Sequence, residues 1–349
     1  IIMENKMWGY IDEQKVILEN ILSLQRDTFS TLSKTFISPK EIIITASGTS
    51  LNAAMLVKCL IEKEADCSII VENPFQLRYY SKHLYNPQNI LIVISQTGKS
   101  TGTLECLQIA KQHHIPTVSI TANGDSPIAK KANIHIDMLC GEENVGPKIK
   151  GYSATVLTLH LLLLKITQNP RYQSITQEYY QSIQELPQNI KASLCWCQKN
   201  KHWALAKAMS IVGFGVNYPT AREGTLKILE TMQIPVMNFD MEEFMHGPHR
   251  TIIKDSYIVL IDTDGCGKIL MNNFIDFIKT KTSNYLIIST LKTSNENIIH
   301  INQHSYTSSW LNAVIPFQIM CTYLPECNGI NSSDPVYSDF ATTVGTRIE

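Results

Sequence analysis

Glu41-Ile-Ile-Ile-Thr-Ala-Ser-Gly-Thr-Ser50 and Ile90-Leu-Ile-Val-Ile-Ser-Gln-Thr-Gly-Lys-Ser100 share one construction: a short apolar run, then a turn of small and hydroxyl residues. Amphipathic stretches follow each turn, to about Glu62 and His113. An unbroken apolar run of this length, between turn signals and helical periodicity, reads as a strand buried on both faces of a parallel sheet. Cys67–Val71, Thr117–Thr121 and Ile134–Met138 extend the series, and a helix over Tyr152–Ile166 closes it. Its apolar core, Val156–Leu164, is interrupted by His160 and too short to cross a bilayer, so it reads as a buried helix. Upstream, a helix is expected over Asp12–Phe29 with Val16, Ile17, Ile21, Leu22 and Leu24 as its apolar positions.

The order then restarts. Strands are expected at Met209–Gly213, Pro235–Phe239, Tyr257–Ile261 and Tyr285–Ser289, with helices at Pro219–Thr231, Lys268–Lys279 and Ser309–Tyr323. A short helical piece follows the second strand in each half, Asn73–Tyr80 and Asp240–Gly247, which points to an internal duplication. Between the halves, Pro187 interrupts a helical link. The expected architecture is α/β: two similar domains in tandem, each a parallel sheet flanked by helices. The boundaries expected are a helical segment 1–34, a first domain 35–168, a link 169–200, a second domain 201–330 and a tail 331–349.

Over 349 residues, 44% are hydrophobic and 30 Lys+Arg balance 31 Asp+Glu. Such a chain folds around cores, and its charge argues against a nucleic-acid partner. The nine cysteines are scattered and odd in number, as for reduced thiols, and the opening residues do not read as a signal peptide. A cytoplasmic protein with no membrane partner is expected. Cys195-Trp-Cys197 has metal-like spacing, but no second Cys/His cluster is near it in sequence.

Two features carry chemistry. The turns Thr45–Ser50 and Ile94–Ser100 let backbone approach an anion closely, at the start of a helix whose free N–H groups favour phosphate. Neither matches a P-loop or a dinucleotide fingerprint. Simple helix capping explains one such turn; two at strand ends mark a crevice. In Arg222-Glu-Gly-Thr-Leu-Lys-Ile-Leu-Glu230, the spacing puts Glu223, Lys227 and Glu230 on one stripe, equally the pattern of a surface ion-pair helix. Phe244-Met-His-Gly-Pro-His249 adds an imidazole at a turn; alone, His246 is an ordinary surface histidine. A carboxylate with an imidazole is the pair that moves protons on sugar carbon and oxygen near neutral pH.

Taken together, Ser47-Gly-Thr-Ser50, Ser95-Gln-Thr-Gly-Lys-Ser100, Glu143 with Lys150-Gly-Tyr152, Glu223–Glu230 and His246-Gly-Pro248 resemble the sugar isomerase (SIS) family of phosphosugar-binding proteins in its two-domain form. The likeness runs from about Glu41 onward, and is greatest to the isomerase half of glutamine:fructose-6-phosphate amidotransferase and to fructosamine-6-phosphate deglycases. It implies tandem flavodoxin-like SIS domains. It implies that Thr49, Ser50, Ser95, Gln96, Thr97 and Ser100 cradle a sugar phosphate, Ser100 also capping the next helix. Glu143 and Lys150 would border the sugar. Glu230 would be the base shuttling a proton between C1 and C2, with Lys227 stabilising charge or orienting a hydroxyl. His246 would assist ring opening from the neighbouring subunit of a homodimer, and the tail would lie near the active site.

Two departures separate the chain from the amidotransferase. Ahead of the sugar domains only a short helix is expected where the amidotransferase has its glutaminase half, and the resemblance puts Thr342 in Ala341-Thr-Thr-Val344 where the amidotransferase has its Schiff-base lysine. The expectation is therefore a deglycase, converting a fructosamine 6-phosphate to a hexose 6-phosphate and a free amine without metal or other cofactor. The alternatives are a phosphosugar aldose–ketose or aminotransferase-like isomerase, and a sugar-phosphate-binding regulator. Arg222, Lys148 and His249 are the candidates for reading the amine.

Overall fold

The computed structural model describes residues 5–35, 39–65, 67–263, 265–291, 295–302, 305 and 307–348, with side chains omitted at 26, 27 and 30–35. The chain divides into two compact units. The first comprises Val16–Asn144, Lys148–Thr176 and Pro335–Glu349; the second comprises Ile1–Lys15, Val145–Pro147 and Gln177–Asp334.

The first helix, α1 (Lys6–Thr35), is longer than its expected span of Asp12–Phe29. Its buried positions are Met7, Ile11, Gln14, Leu18, Ile21, Gln25 and Phe29, in steps of three and four. Val16 and Leu24, expected on the apolar face, are exposed. Two glutamines complete the stripe instead. Gln14 exchanges amide hydrogen bonds with Gln318 at 2.8 and 3.1 Å, and Gln25 donates to the Asp137 carbonyl.

In the first unit follow β1 (Ile42–Thr45), α2 (Thr49–Glu64), β2 (Ile69–Glu72), α3 (Pro74–Tyr79), β3 (Ile90–Ile94) and α4 (Thr101–Gln112). Then come β4 (Thr117–Thr121), α5 (Pro127–Lys131), β5 (Ile134–Asp137) and α6 (Lys150–Ile166). All strands pair in parallel in the order β2-β1-β3-β4-β5. Every residue of β1, β3 and β4 is buried, which is why their sequence shows no polar alternation. Ile43, Leu91 and Val93 pack on Leu104 and Leu107 of α4. Each such side chain contributes about 1.5–3 kcal/mol by leaving water. α6 is buried almost all round, as Val156–Leu164 predicts.

Next along the chain are α7 (Tyr172–Gln184), α8 (Leu186–Lys199), β6 (Met209–Gly213), α9 (Asn217–Met232), β7 (Val236–Asp240) and α10 (Met241–Met245). Pro187 lies in the first turn of α8, where a missing N–H is harmless. β8 (Tyr257–Asp262), α11 (Lys268–Lys279), β9 (Tyr285–Ser289), β10 (Ile298–His300), α12 (Ser309–Ala313) and α13 (Ile315–Cys327) complete the second unit. The short α14 (Phe340–Val344) belongs to the first. The second sheet is parallel in the order β10-β9-β8-β6-β7. Counted from its own first strand, this is the order of the first sheet, the flavodoxin-like 2-1-3-4-5. Two similar parallel sheets flanked by helices are what the motif order predicts. β10 is the strand the sequence did not reveal. The expected helix Ser309–Tyr323 is divided at Val314, with Pro316 opening α13.

Candidate functional site

In the first sheet, connections leave β1 toward β2 and β3 toward β4, so the direction reverses between the neighbours β1 and β3. That switch point is where an open α/β sheet leaves a crevice at its carboxyl edge. Both hydroxyl turns stand there. The β1 turn depends on Gly48, at φ 57°, which any side chain would strain, and it delivers Thr49 and Ser50 to the first turn of α2. The β3 turn closes by Gly98 N–H donating to the Ser95 carbonyl at 2.9 Å. Gly98 has φ 65°, and a Cβ there would collide with Ser126 Oγ.

Gln96 points away from the turn. Its Nε2 donates to Glu143 Oε2 at 2.7 Å. Glu143 is buried and accepts from the N–H groups of Ile149, Lys150 and Gly151 at 2.8, 3.0 and 2.9 Å. It satisfies the buried amides at the start of α6, which have no partner within the helix, and lies against the positive end of that helix. Lys148 Nζ donates to the Glu143 carbonyl at 2.6 Å, and a Cβ on Gly151 would overlap the Gln96 amide. Lys150 is also buried. Cys140 lies 3.7 Å from Gln96, and burial pushes its thiol up to about 12, so it is a neutral neighbour and no nucleophile.

Ser100 occupies the N-cap position of α4, but its side chain does not cap the helix backbone. Its Oγ accepts from Thr103 Oγ1 at 3.0 Å instead. The turn's outer strand is paired: Ser100 forms an antiparallel bridge with Arg347.

In the second unit, α9 carries the charged stripe. Lys227 is 1% exposed, with Nζ 2.7 Å from Glu230 Oε2 and 3.6 Å from Glu223 Oε1. Burial opposes the ammonium charge, yet the two carboxylates outweigh it and hold the amine above the ordinary lysine range. Glu223 is as deeply buried as Lys227, whereas Glu230 is 33% exposed. The lysine is thus a fixed cation that orients a carboxylate still open to solvent. Glu223, the second brace, was visible in the stripe but not singled out as a site residue.

His246 is 71% exposed, with Nε2 3.5 Å from Glu242 Oε1. It ends α10, at the carboxyl edge where β7 stops. α9 starts at that edge and runs back, so about 20 Å of helix separates Asn217 from Glu230. Within this unit, His246 and the Lys227–Glu230 pair therefore stand at opposite edges of the sheet.

Among the described residues, no group of three or more His, Cys, Asp or Glu side chains is arranged to hold a metal ion, and no helix is long and apolar enough to cross a membrane. Cys195 is exposed while Cys197 is buried.

The family model of the SIS domain matches residues 35–165. A glutamine–fructose-6-phosphate aminotransferase (isomerizing) of Chlorobaculum tepidum is 27% identical over 317 residues, covering 85% of this chain and 50% of the relative. The chain thus spans about half the length of that curated relative. A crystal structure from Clostridium difficile, described provisionally as a phosphosugar isomerase, superposes with a TM-score of 0.90 at 27% identity, covering 98% of this chain and 99% of the other. The C-terminal domain of glucosamine-fructose-6-phosphate aminotransferase from Francisella tularensis has the same fold, with a TM-score of 0.84 at 21% identity over 94% of this chain and 98% of the other. Residues 35–165 thus match the SIS-domain model, and the chain as a whole is similar to a phosphosugar isomerase structure and to about half the length of the aminotransferases.

Proposed function

We propose that the protein is a phosphosugar isomerase-type enzyme that moves a proton between C1 and C2 of an open-chain hexose 6-phosphate. The observation that carries the reading is the half-open Glu230 carboxylate, fixed by a lysine that is itself buried between two acids. Glu230 takes the proton from C1 of the ketose, giving an enediolate that gains a proton from water at O2; Glu230 then returns its proton to C2 as O1 gives up its proton to water and C1 becomes the aldehyde. Lys227 is fully buried, so it acts through Glu230 and keeps that oxygen in place. The hydroxyl turns at the first switch point, through Thr49, Ser50, Ser95, Thr97 and Ser100, hold the phosphate. Binding energy at that end orients the reacting carbons. Gln96, Glu143 and Lys150 brace the turn and border the sugar.

The comparisons favour isomerisation over the expected deglycase: the Clostridium difficile structure and the aminotransferase relatives are both named for isomerase chemistry. One residue keeps deglycation as the second reading. Thr342 cannot form the imine that an aminotransferase lysine provides, whereas a fructosamine substrate brings its own amine.

His246 lies at the opposite sheet edge from Glu230, so for the two to serve one sugar the imidazole has to come from a second copy of the chain. The reading therefore includes a homodimer. Mixing and refolding inactive Glu230→Gln and His246→Ala chains should restore about a quarter of wild-type activity, from hybrids with one intact site. No recovery would place the histidine within its own subunit, and full activity of His246→Ala alone would place it outside the reaction. The reaction itself is tested with fructose 6-phosphate and fructoselysine 6-phosphate side by side. Conversion of the first to an aldose supports isomerisation; glucose 6-phosphate released from the second alone moves the assignment to deglycation. Binding without turnover of either makes the protein a sugar-phosphate-responsive regulator.

A further inference from the structure

The stretch Thr346–Ile348 lies along the outer strand of the second hydroxyl turn. Thr101 N–H donates to the Thr346 carbonyl at 3.1 Å, and Ile348 N–H donates to the Lys99 carbonyl at 3.0 Å. Between these bonds, Ser100 and Arg347 stand directly opposite each other in antiparallel register. Because the bonds flank the pair, it is of the non-hydrogen-bonded kind, the closer of the two, and both side chains leave on one face.

The neighbours fix this arrangement. Ile348 is partly buried and packs against the core cluster of Ile43, Leu77, Leu104 and Leu107. Alternation along a strand then turns Arg347 to the other side, that of Ser100. Gly345, at φ 74°, makes the bend out of α14, and Thr346 N–H closes it onto the Ala341 carbonyl at 3.0 Å. Glu105, the nearby carboxylate at the start of α4, is committed to Arg78. Arg347 itself is exposed.

We propose that Arg347 is a phosphate-binding residue, carried by the 346–348 stretch to the turn at Ser95–Ser100. The inference rests on the reading of that turn as the phosphate site. Backbone N–H groups and hydroxyls give the anion directional hydrogen bonds and the partial charge of one helix end; a guanidinium adds a full charge and a planar fork that fits two phosphate oxygens. The 346–348 pairing thus supplies a ligand as well as a brace.

The test is calorimetric titration of the full chain with fructose 6-phosphate and with inorganic phosphate, at low and high salt. The variants are Arg347→Gln, Arg347→Lys and Ser100→Ala. Arg347→Gln should weaken both ligands by about tenfold at low salt, the effect of one charge-assisted contact near the surface. Arg347→Lys should recover part of the loss, and the salt dependence of binding should flatten in Arg347→Gln alone. Weakening by Ser100→Ala with none by Arg347→Gln would overturn the role of Arg347 and leave the turn intact as the phosphate site. Unchanged affinity in all three variants, or no binding by the wild type, would overturn the phosphate site and the arginine together. Equal weakening by Gln and Lys with the salt dependence preserved would make Arg347 a structural brace only.

Discussion

At the switch point of the first sheet the chain sets Ser47-Gly-Thr-Ser50 and Ser95–Ser100; at the same point of the second sheet it sets Phe214-Gly-Val216 and Asp262-Thr263. The strand order is the same. The chemistry is not. Asp262 is buried, its carboxyl raised by that burial against the pull of Lys268, and the Thr263 hydroxyl is spent on Asn217 Oδ1 at 2.5 Å. The second switch point therefore lacks the run of small and hydroxyl residues that the proposed phosphate site of the first sheet uses. The charged stripe of the second unit lies at the far end of α9, where Lys227 and Glu230 stand. Duplicating the fold therefore did not duplicate the residues: the hydroxyl turns occur in the first unit and the buried Lys227 stripe in the second.

The units also bury ionisable groups in opposite ways. His160, fully enclosed in α6, is pushed down to about 3 by burial and stays neutral. Lys227, equally enclosed, stays charged because Glu223 and Glu230 flank it. Lys227→Met probes that difference hardest. It leaves Glu223 buried without its counter-charge, and urea unfolding should show a loss of about 3–5 kcal/mol. A loss below about 1 kcal/mol would mean the stripe is an ordinary surface ion-pair helix.

The contrast between the crevices is sharpened by paired hydroxyl deletions. Ser50→Ala or Thr97→Val should weaken fructose 6-phosphate about tenfold while leaving unphosphorylated fructose unaffected. Thr263→Val, the counterpart in the second sheet, should leave phosphate-dependent binding unchanged. Equal effects in both sheets would erase the division of labour drawn here.

A separate contrast concerns pH. The unfolded chain protonates His160 near the ordinary histidine value of 6.5, whereas the native state resists until about 3. Its contribution to stability is fully present above about 6.5 and is lost as pH falls toward 3, at about 1.4 kcal/mol per pH unit. His160→Gln should flatten the stability–pH curve in that window by one proton. An unchanged slope would show that the imidazole takes up its proton in the native state as readily as in the unfolded chain.

Much of this was legible because strands buried on both faces are written as unbroken apolar runs, and Ile90–Ile94 and Ile42–Thr45 are such runs. The hydroxyl turns were equally plain, since each follows a strand directly. What escaped notice had physical reasons. Ile298–His300 is too short for any periodicity to show. The inner face of α1 is completed by Gln14 and Gln25, which a search for apolar positions passes over in favour of Val16 and Leu24. That Glu143 also accepts from three backbone amides was not visible, since this depends on the loop's path and on Gly151 letting Gln96 come close. The bridge between Ser100 and Arg347 joins residues far apart in sequence, and no local pattern announces it.

The central claim is that Glu230 moves a proton on a sugar whose phosphate is held by the first sheet's turns. Its most direct test is proton NMR of fructose 6-phosphate in deuterated water with the wild type and Glu230→Gln. Deuterium entering at the carbons next to the carbonyl with the wild type, slowed by about a thousandfold in the variant with phosphate affinity retained, is the predicted result. Exchange at the same rate in both proteins would contradict it.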